Sequence, residues 1–193
     1  GESGLGIRTF IPIASLFTEK IQLSGEGSLL KRPMNMVEGP LKDLGVSIES
    51  NEGFLPISVK GPLKGGHTKV DGSVSSQVLT GLLIALPQAE NDSVLKVNKL
   101  QSIPYIDMTL EILKDFGAEI EHEKYEIFKV KGQQKYKARN YQIEGDWSGA
   151  AFHLVAAAIA GKVEVRGMNM QSLQADRAIL IALERAGAQI SYS

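Results

Sequence analysis

"LKDFGAEIE", residues 113–121, reads as the end of one element and the beginning of another. Leu113 and Phe116 close an apolar helical stripe, Gly117 interrupts it, and Ala118 and Ile120 alternate with Glu119 and Glu121. A helix that stops at a left-handed glycine and passes straight into a strand has this pattern. The same pattern occurs at "LKDLGVSIE" (41–49) and "LERAGAQIS" (183–191), with Gly45, Gly117 and Gly187 spaced 72 and 70 residues apart. A recurrence at a fixed long interval marks a repeated supersecondary unit.

A second segment recurs with the first. "GLGIRTFIPIASLF" (4–17), "SSQVLTGLLIALP" (75–87) and "SGAAFHLVAAAIAG" (148–161) each open on Gly or Ser and become apolar on nearly every side. Helices of that kind are buried ones. Short strand-like runs follow them: "KIQLSG", "SVLKVNK" and "KVEVRG". Amphipathic helices come next, as in "YIDMTLEILKDFG" and "DRAILIALERAG", and "AEIEHEKYEIFKVKG" closes the middle copy as a strand pair around a solvated "HEKYE" turn.

One unit therefore reads βαβαββ. Wholly apolar helices cannot coat the outside of a doubly wound sheet, so the predicted α/β fold has helices inside and small sheets outside. The units are expected at 1–62, lacking a first strand, at 63–141, complete, and at 142–193, lacking an end. The polar stretch "KYKARNYQIEGDWSG" (135–149) is the expected domain boundary. If the units stack in parallel, their buried helices aim N-termini at one end, where free N–H groups and partial positive charge form an anion site without net basic charge.

Bulk composition excludes several classes of function. The 193 residues are 43% hydrophobic and 22% charged, ordinary for a globular protein, with a formal charge of −1. That balance argues against nucleic acid or an anionic membrane surface as partner. The absence of cysteine excludes disulfides and thiolate chemistry and fits a cytoplasmic location. The apolar run "AAFHLVAAAIAG" is too short to span a membrane, which takes roughly 18–20 residues. His67, His122 and His153 do not cluster, so no metal site is expected. "GESGLGIRTF" lacks a basic leader and enters a helix at once, as a chain already under way would.

"DGSVSSQVLTGLLIALP", "SIPYIDMTLEILKDFG", "EGDWSGAAFHLVAAAIAG" and "LLKRPM" together resemble the 5-enolpyruvylshikimate-3-phosphate synthase family, and the likeness runs through the whole chain in order. The resemblance implies an incomplete enolpyruvyl transferase-like, inside-out α/β barrel: residues 1–141 as part of a first domain, and 142–193 as the opening unit of a second. It implies transfer of the enolpyruvyl group of phosphoenolpyruvate to the 5-hydroxyl of shikimate 3-phosphate, releasing phosphate, in aromatic amino acid biosynthesis. It implies no metal or organic cofactor, and a monomeric full-length enzyme.

The same resemblance assigns residues. Ser75 and Ser76 match the pair that holds the phosphate of shikimate 3-phosphate. N-capping is the plainer reading, but it needs one side chain and is worth about 1 kcal/mol. Gln77 matches a residue between the two substrates, and Ser102 a further ligand of the shikimate phosphate, although turn chemistry before Pro104 accounts for a Ser there equally. Tyr105 matches a residue near the shikimate ring; tyrosines at helix starts also simply pack. Arg32 matches a contact to phosphoenolpyruvate, a role that suits a planar guanidinium fork. Gly4 matches a glycine whose backbone approaches that substrate.

The segment around Gly4 departs from the family's usual "GNAGTAMRP": Glu2, Leu5 and Thr9 stand where Asn, Thr and Pro are frequent. A carboxylate beside an anionic substrate is unfavourable unless paired, with Arg8 or Lys31 as available cations. Asp146 is expected to cap or hinge the helix that follows it, while Arg166 and Arg177 read as surface residues. The resemblance places the acid–base groups outside these 193 residues, so no catalytic residue is expected within the chain, and the chain alone is expected to be inactive. Helix faces left without neighbours make self-association an expectation.

Three alternatives compete. The sister transferase acting on UDP-N-acetylglucosamine usually carries a cysteine before its Arg-Pro dipeptide; "SGEGSLLKRP" (24–33) has none. RNA 3′-phosphate cyclase shares the unit architecture but needs a catalytic histidine with nucleotide contacts. A non-catalytic substrate-binding remnant is the alternative from outside enzymology.

Overall fold

The computed structural model describes residues 1–73 and 76–192, which divide into two compact units, Gly1–Ala138 and Arg139–Ser193. In the first, α1 (Gly4–Ala14) is followed by β1 (Lys20–Leu23), α2 (Glu38–Asp43), β2 (Ser47–Asn51) and β3 (Phe54–Lys60). Then come β4 (Gly66–Asp71), α3 (Ser76–Ala85), β5 (Ser93–Asn98), α4 (Ile103–Asp115), β6 (Ile120–Glu123) and β7 (Ile127–Val130). The second copy of the repeat is thus a full βαβαββ unit, in the element order expected from its sequence.

The strands form two small sheets. The first is antiparallel with order β1-β3-β2, and the second has order β4-β5-β7-β6, with β4 and β5 parallel and the other pairs antiparallel. Period-2 alternation buries one face of each: Leu55, Ile57 and Val59 from β3, Val70 from β4, Leu95 and Val97 from β5, and Phe128 and Val130 from β7. These residues share a single core with Leu79, Leu82 and Leu83 of α3 and Leu41 and Leu44 at the end of α2. α1 lies against α3 so closely that a β-carbon added at Gly81 would sit 2.6 Å from the Thr9 carbonyl oxygen. Gly81 permits that approach.

All three repeat glycines terminate helices in the manner the sequence suggests. Gly45, Gly117 and Gly187 have φ of +85°, +85° and +89°. In each copy the glycine N–H and the next residue's N–H return to the last turn: Gly45 to Lys42 and Val46 to Leu41, Gly117 to Lys114 and Ala118 to Leu113, Gly187 to Glu184 and Ala188 to Leu183. This is a Schellman cap, which satisfies carbonyls that the helix end would otherwise leave open.

The second unit carries α5 (Trp147–Ala160) and α6 (Ile179–Arg185). Asp146 caps α5, accepting from the Ser148 and Gly149 amides at 3.0 and 3.1 Å. Trp147, Ala150 and Leu180 make its small core. Two expectations fail here. "KVEVRG" (162–167) forms no strand, because no neighbouring strand among the described residues completes its hydrogen-bond ladder. The α5 helix, expected to be buried, leaves Phe152 78% and Ile159 81% exposed. No described helix is long and apolar enough to cross a membrane, and no described group of three or more His, Asp or Glu residues could hold a metal ion.

Candidate functional site

Because β4 and β5 are parallel, the turns leaving them lie side by side, and both lead into helix N-termini. The Gly72 N–H donates to the Asn98 carbonyl at 2.8 Å, joining the two turns. Gly72 passes so near the neighbouring turn that a β-carbon there would lie 2.6 Å from Leu100 Cα. Between these turns and the first half of α1 is a polar cavity of about 200 Å³, lined by Arg8, Gly72, Ser73, Ser76, Gln77, Gln101 and Ser102. Of the residues singled out from sequence, Ser76, Gln77 and Ser102 meet here. Ser75 lies outside the described residues.

Two local structures hold the rim. Asp71 accepts from the Ser73 amide at 2.9 Å and the Ser73 hydroxyl at 2.6 Å, which closes an Asx turn and holds the Asp71 carboxyl below its ordinary pKa. Ser73 is thereby committed to Asp71. Ser102 occupies the N-cap position of α4 with φ +58°, a left-handed conformation that non-glycine residues seldom adopt, and its hydroxyl makes no capping bond. The Ser102 hydroxyl, not used as a cap by its own helix, lines the cavity.

Arg8 supplies the cavity's cation. Its Nη1 donates to Gln77 Oε1 at 3.2 Å and its Nη2 to the Pro33 carbonyl at 3.4 Å, while Nε is buried without a protein partner. Desolvation, and secondarily the charge of Arg32, hold the Arg8 guanidinium below its ordinary pKa. Two cations gathered near one another, one of them partly buried, are stabilised when an anion joins them. Arg8 is the site residue that sequence reading weighed only as a partner for Glu2. The available signal was its position as the sole charge in the apolar stretch 4–18. Gln101 and Gly72 carried no comparable signal.

Arg32 and Gly4 form an adjoining patch outside the cavity lining. A β-carbon on Gly4 would come within 2.7 Å of Arg32 Nη1, so the guanidinium lies directly on the first turn of α1. Tyr105, in the first turn of α4, is 38% exposed and does not line the cavity. Glu2 pairs with neither Arg8 nor Lys31. Its carboxylate accepts from the Ser28 amide at 2.8 Å and the Ser28 hydroxyl at 2.9 Å, and these bonds lower its pKa.

Chemically, the arrangement suits an anion: it combines the Arg8 guanidinium, the starts of α3 and α4 and the hydroxyls of Ser76 and Ser102, with no carboxylate among the described lining residues. Among the described lining residues, no group moves a proton readily at neutral pH.

A family model for EPSP synthase (3-phosphoshikimate 1-carboxyvinyltransferase) matches residues 1–193. The chain is 40% identical over 190 residues to a 3-phosphoshikimate 1-carboxyvinyltransferase of Clostridium botulinum, covering 98% of this chain and 44% of that protein. It is 43% identical over 178 residues to one of Haemophilus influenzae, covering 90% of this chain and 41% of that protein. A solved EPSP synthase from Acinetobacter baumannii superposes with a TM-score of 0.77 at 27% identity, over 99% of this chain and 42% of the other. The chain spans less than half the length of these relatives.

Proposed function

The chain belongs to the EPSP synthase family, and from that premise we propose that it forms part of an enzyme transferring the enolpyruvyl group of phosphoenolpyruvate to the 5-hydroxyl of shikimate 3-phosphate, with release of phosphate. The observation that carries the reading is the polar cavity where the turns after β4 and β5 meet Arg8. In this reading Ser75, Ser76 and Ser102 hold the phosphate of shikimate 3-phosphate at the starts of α3 and α4, with Tyr105 toward the ring. Gln77, already bonded to Arg8, stands between the substrates. Arg8, Arg32 and Gly4 form the phosphoenolpyruvate side.

Enolpyruvyl transfer requires an acid to protonate C3 of phosphoenolpyruvate, a base for the attacking hydroxyl and cations around the departing phosphate. The cavity provides cationic and dipolar stabilisation only. Residues 1–141 then act as part of a first domain and 142–193 as the opening of a second, the enzyme works in the cytoplasm without a cofactor, and the chain alone binds shikimate 3-phosphate weakly and without turnover. With its exposed apolar face, α5 is expected to drive self-association of the chain at high concentration.

Calorimetric titration of shikimate 3-phosphate into the chain and into its Ser75→Ala/Ser76→Ala variant tests the site. Each lost hydrogen bond to a charged group is worth about 1.5–3 kcal/mol, so binding should weaken at least tenfold. Equal affinity in both proteins would remove the phosphate reading, and steady phosphate release by the chain alone would overturn the expectation of inactivity.

A further inference from the structure

Glu2 is the residue of the α1 entry segment whose charge is wrong for an anion site, and the structure gives it a definite seat. Gly27 has φ +54°, and a β-carbon on it would collide with the Glu2 carboxyl, so the glycine leaves the space that the carboxylate fills. Ser28 closes that seat with two donors, its amide at 2.8 Å and its hydroxyl at 2.9 Å. The Glu26 amide adds a backbone bond to the Gly1 carbonyl at 3.1 Å. Residues 27–31 form a 3-10 turn, and Arg32 follows it directly, its N–H bonded to the Leu29 carbonyl at 3.1 Å. The other end of the same connection is Arg32 Nη1 lying on Gly4. The segments 1–4 and 26–32 are therefore tied at both ends, once by Glu2 and once where Arg32 rests on the helix start.

We propose that Glu2 is a positioning residue: by clamping the Gly27–Ser28 turn it fixes the Arg32 guanidinium over the first turn of α1, where it receives phosphoenolpyruvate. The inference rests on the proposed function for the identity of that ligand. The clamp stands on geometry alone: a carboxylate with two donors, a positive-φ glycine whose Cβ space the carboxylate occupies, and an arginine directly after the 27–31 turn. The Ser28 amide first, and the Ser28 hydroxyl second, lower the pKa of Glu2, so the clamp stays charged to lower pH than an ordinary carboxylate would.

The two possible roles of this carboxylate predict opposite signs. If Glu2 acted only through its charge, removing it would tighten the binding of a nearby anion. If it positions Arg32, removing it loosens the turn and weakens that binding, because a guanidinium displaced by about 1 Å loses much of its contribution.

The test is titration of the 193-residue chain, and of its Glu2→Ala, Glu2→Gln, Gly27→Ala and Arg32→Ala variants, with shikimate 3-phosphate and then with phosphoenolpyruvate. Glu2→Ala and Gly27→Ala are expected to weaken phosphoenolpyruvate about tenfold, with shikimate 3-phosphate unchanged. Glu2→Gln, which retains an acceptor for Ser28 but no charge, should restore most of the loss. Tighter phosphoenolpyruvate binding by Glu2→Ala overturns the clamp. So does equal loss of both ligands, which would mark a general folding defect. No loss in Glu2→Ala beside a clear loss in Arg32→Ala overturns the clamp and leaves the proposed function standing. No loss in Arg32→Ala overturns the clamp together with the placing of Arg32 on the phosphoenolpyruvate side.

Discussion

The helices α3 and α5 occupy the same place in two copies of one repeat, and their surroundings differ completely. Each starts at Ser or Trp-Ser and continues as an almost unbroken apolar run. In α3, Leu79, Leu82 and Leu83 are wholly buried between α1, the second sheet and α4. In α5, Phe152 and Ile159 stand in solvent and only Trp147 and Ala150 are buried. An apolar helix thus encodes a demand for neighbours, and burial depends on whether other segments meet it. The second sheet completes around α3 because β4, β5, β6 and β7 each find a partner. The run after α5 pairs with no strand among the described residues.

The contrast is best broken by substitutions on its two sides, beginning with the largest. Leu82→Ala removes a fully buried side chain from the core of the first unit and should cost about 2–5 kcal/mol, read by urea denaturation followed through amide NMR signals of residues 1–138. Trp147, the chain's single tryptophan, reports on the other unit, and its fluorescence transition should not move. A matching shift of the tryptophan transition would show that the two units unfold together.

The helix caps sharpen the comparison, because here the two units are alike. Gly117→Ala and Gly187→Ala each force a β-carbon into the left-handed region, at roughly 1–2 kcal/mol. At Gly187 the new methyl meets nothing within 4 Å, whereas at Gly117 it comes 3.0 Å from Lys137 Cδ, a flexible side chain that can move. Nearly equal losses in each variant's own unit are expected. A much larger loss at Gly117 would show that packing rather than conformation sets the cost.

Tyr136, in the segment that follows β7, covers the end of α3 and offers a further test. Its hydroxyl donates to the Ile84 carbonyl at 2.6 Å, and burial pushes its pKa up to about 12. A folded-state value above the unfolded one means that the neutral phenol stabilises the fold. That contribution is complete below about pH 10 and is lost as pH rises toward 12. Stability of the first unit should therefore fall over this range, and fall less steeply in Tyr136→Phe. The ring is partly exposed, so screening keeps the effect smaller than the cap losses.

The smallest effect is expected at Ile159→Ser. With its side chain in solvent, stability should change by no more than about 0.5 kcal/mol in a tryptophan-monitored melt. The same variant should reduce any concentration-dependent association seen by sedimentation. A large loss of stability would mean that α5 is covered after all.

Much of this was legible along the chain. Gly45, Gly117 and Gly187 announced three helix ends, since few residues besides glycine take φ near +85° cheaply, and each cap formed as its pattern implied. The βαβαββ order of the middle copy was readable from alternation and helical periodicity. "DGSVSSQ" stood out because it holds more hydroxyls than a cap needs. Arg8 was not legible as a cavity residue: its meaning comes from Gln77, sixty-nine positions away, and from the Pro33 carbonyl. The seat of Glu2 was hidden for the same reason, because Gly27 and Ser28 reach it only after the chain has returned from β1.

Local chemistry, then, was determined by sequence: where helices stop, which strand faces are apolar, and which turn carries surplus hydroxyls. Those choices depend on backbone sterics and side-chain periodicity within a few residues. Tertiary structure decided which apolar helix is buried, which serine is held in a left-handed turn toward a cavity, and which carboxylate clamps an arginine-bearing turn. These depend on free energy gained only when distant segments meet, through burial and through hydrogen bonds that no single segment can complete.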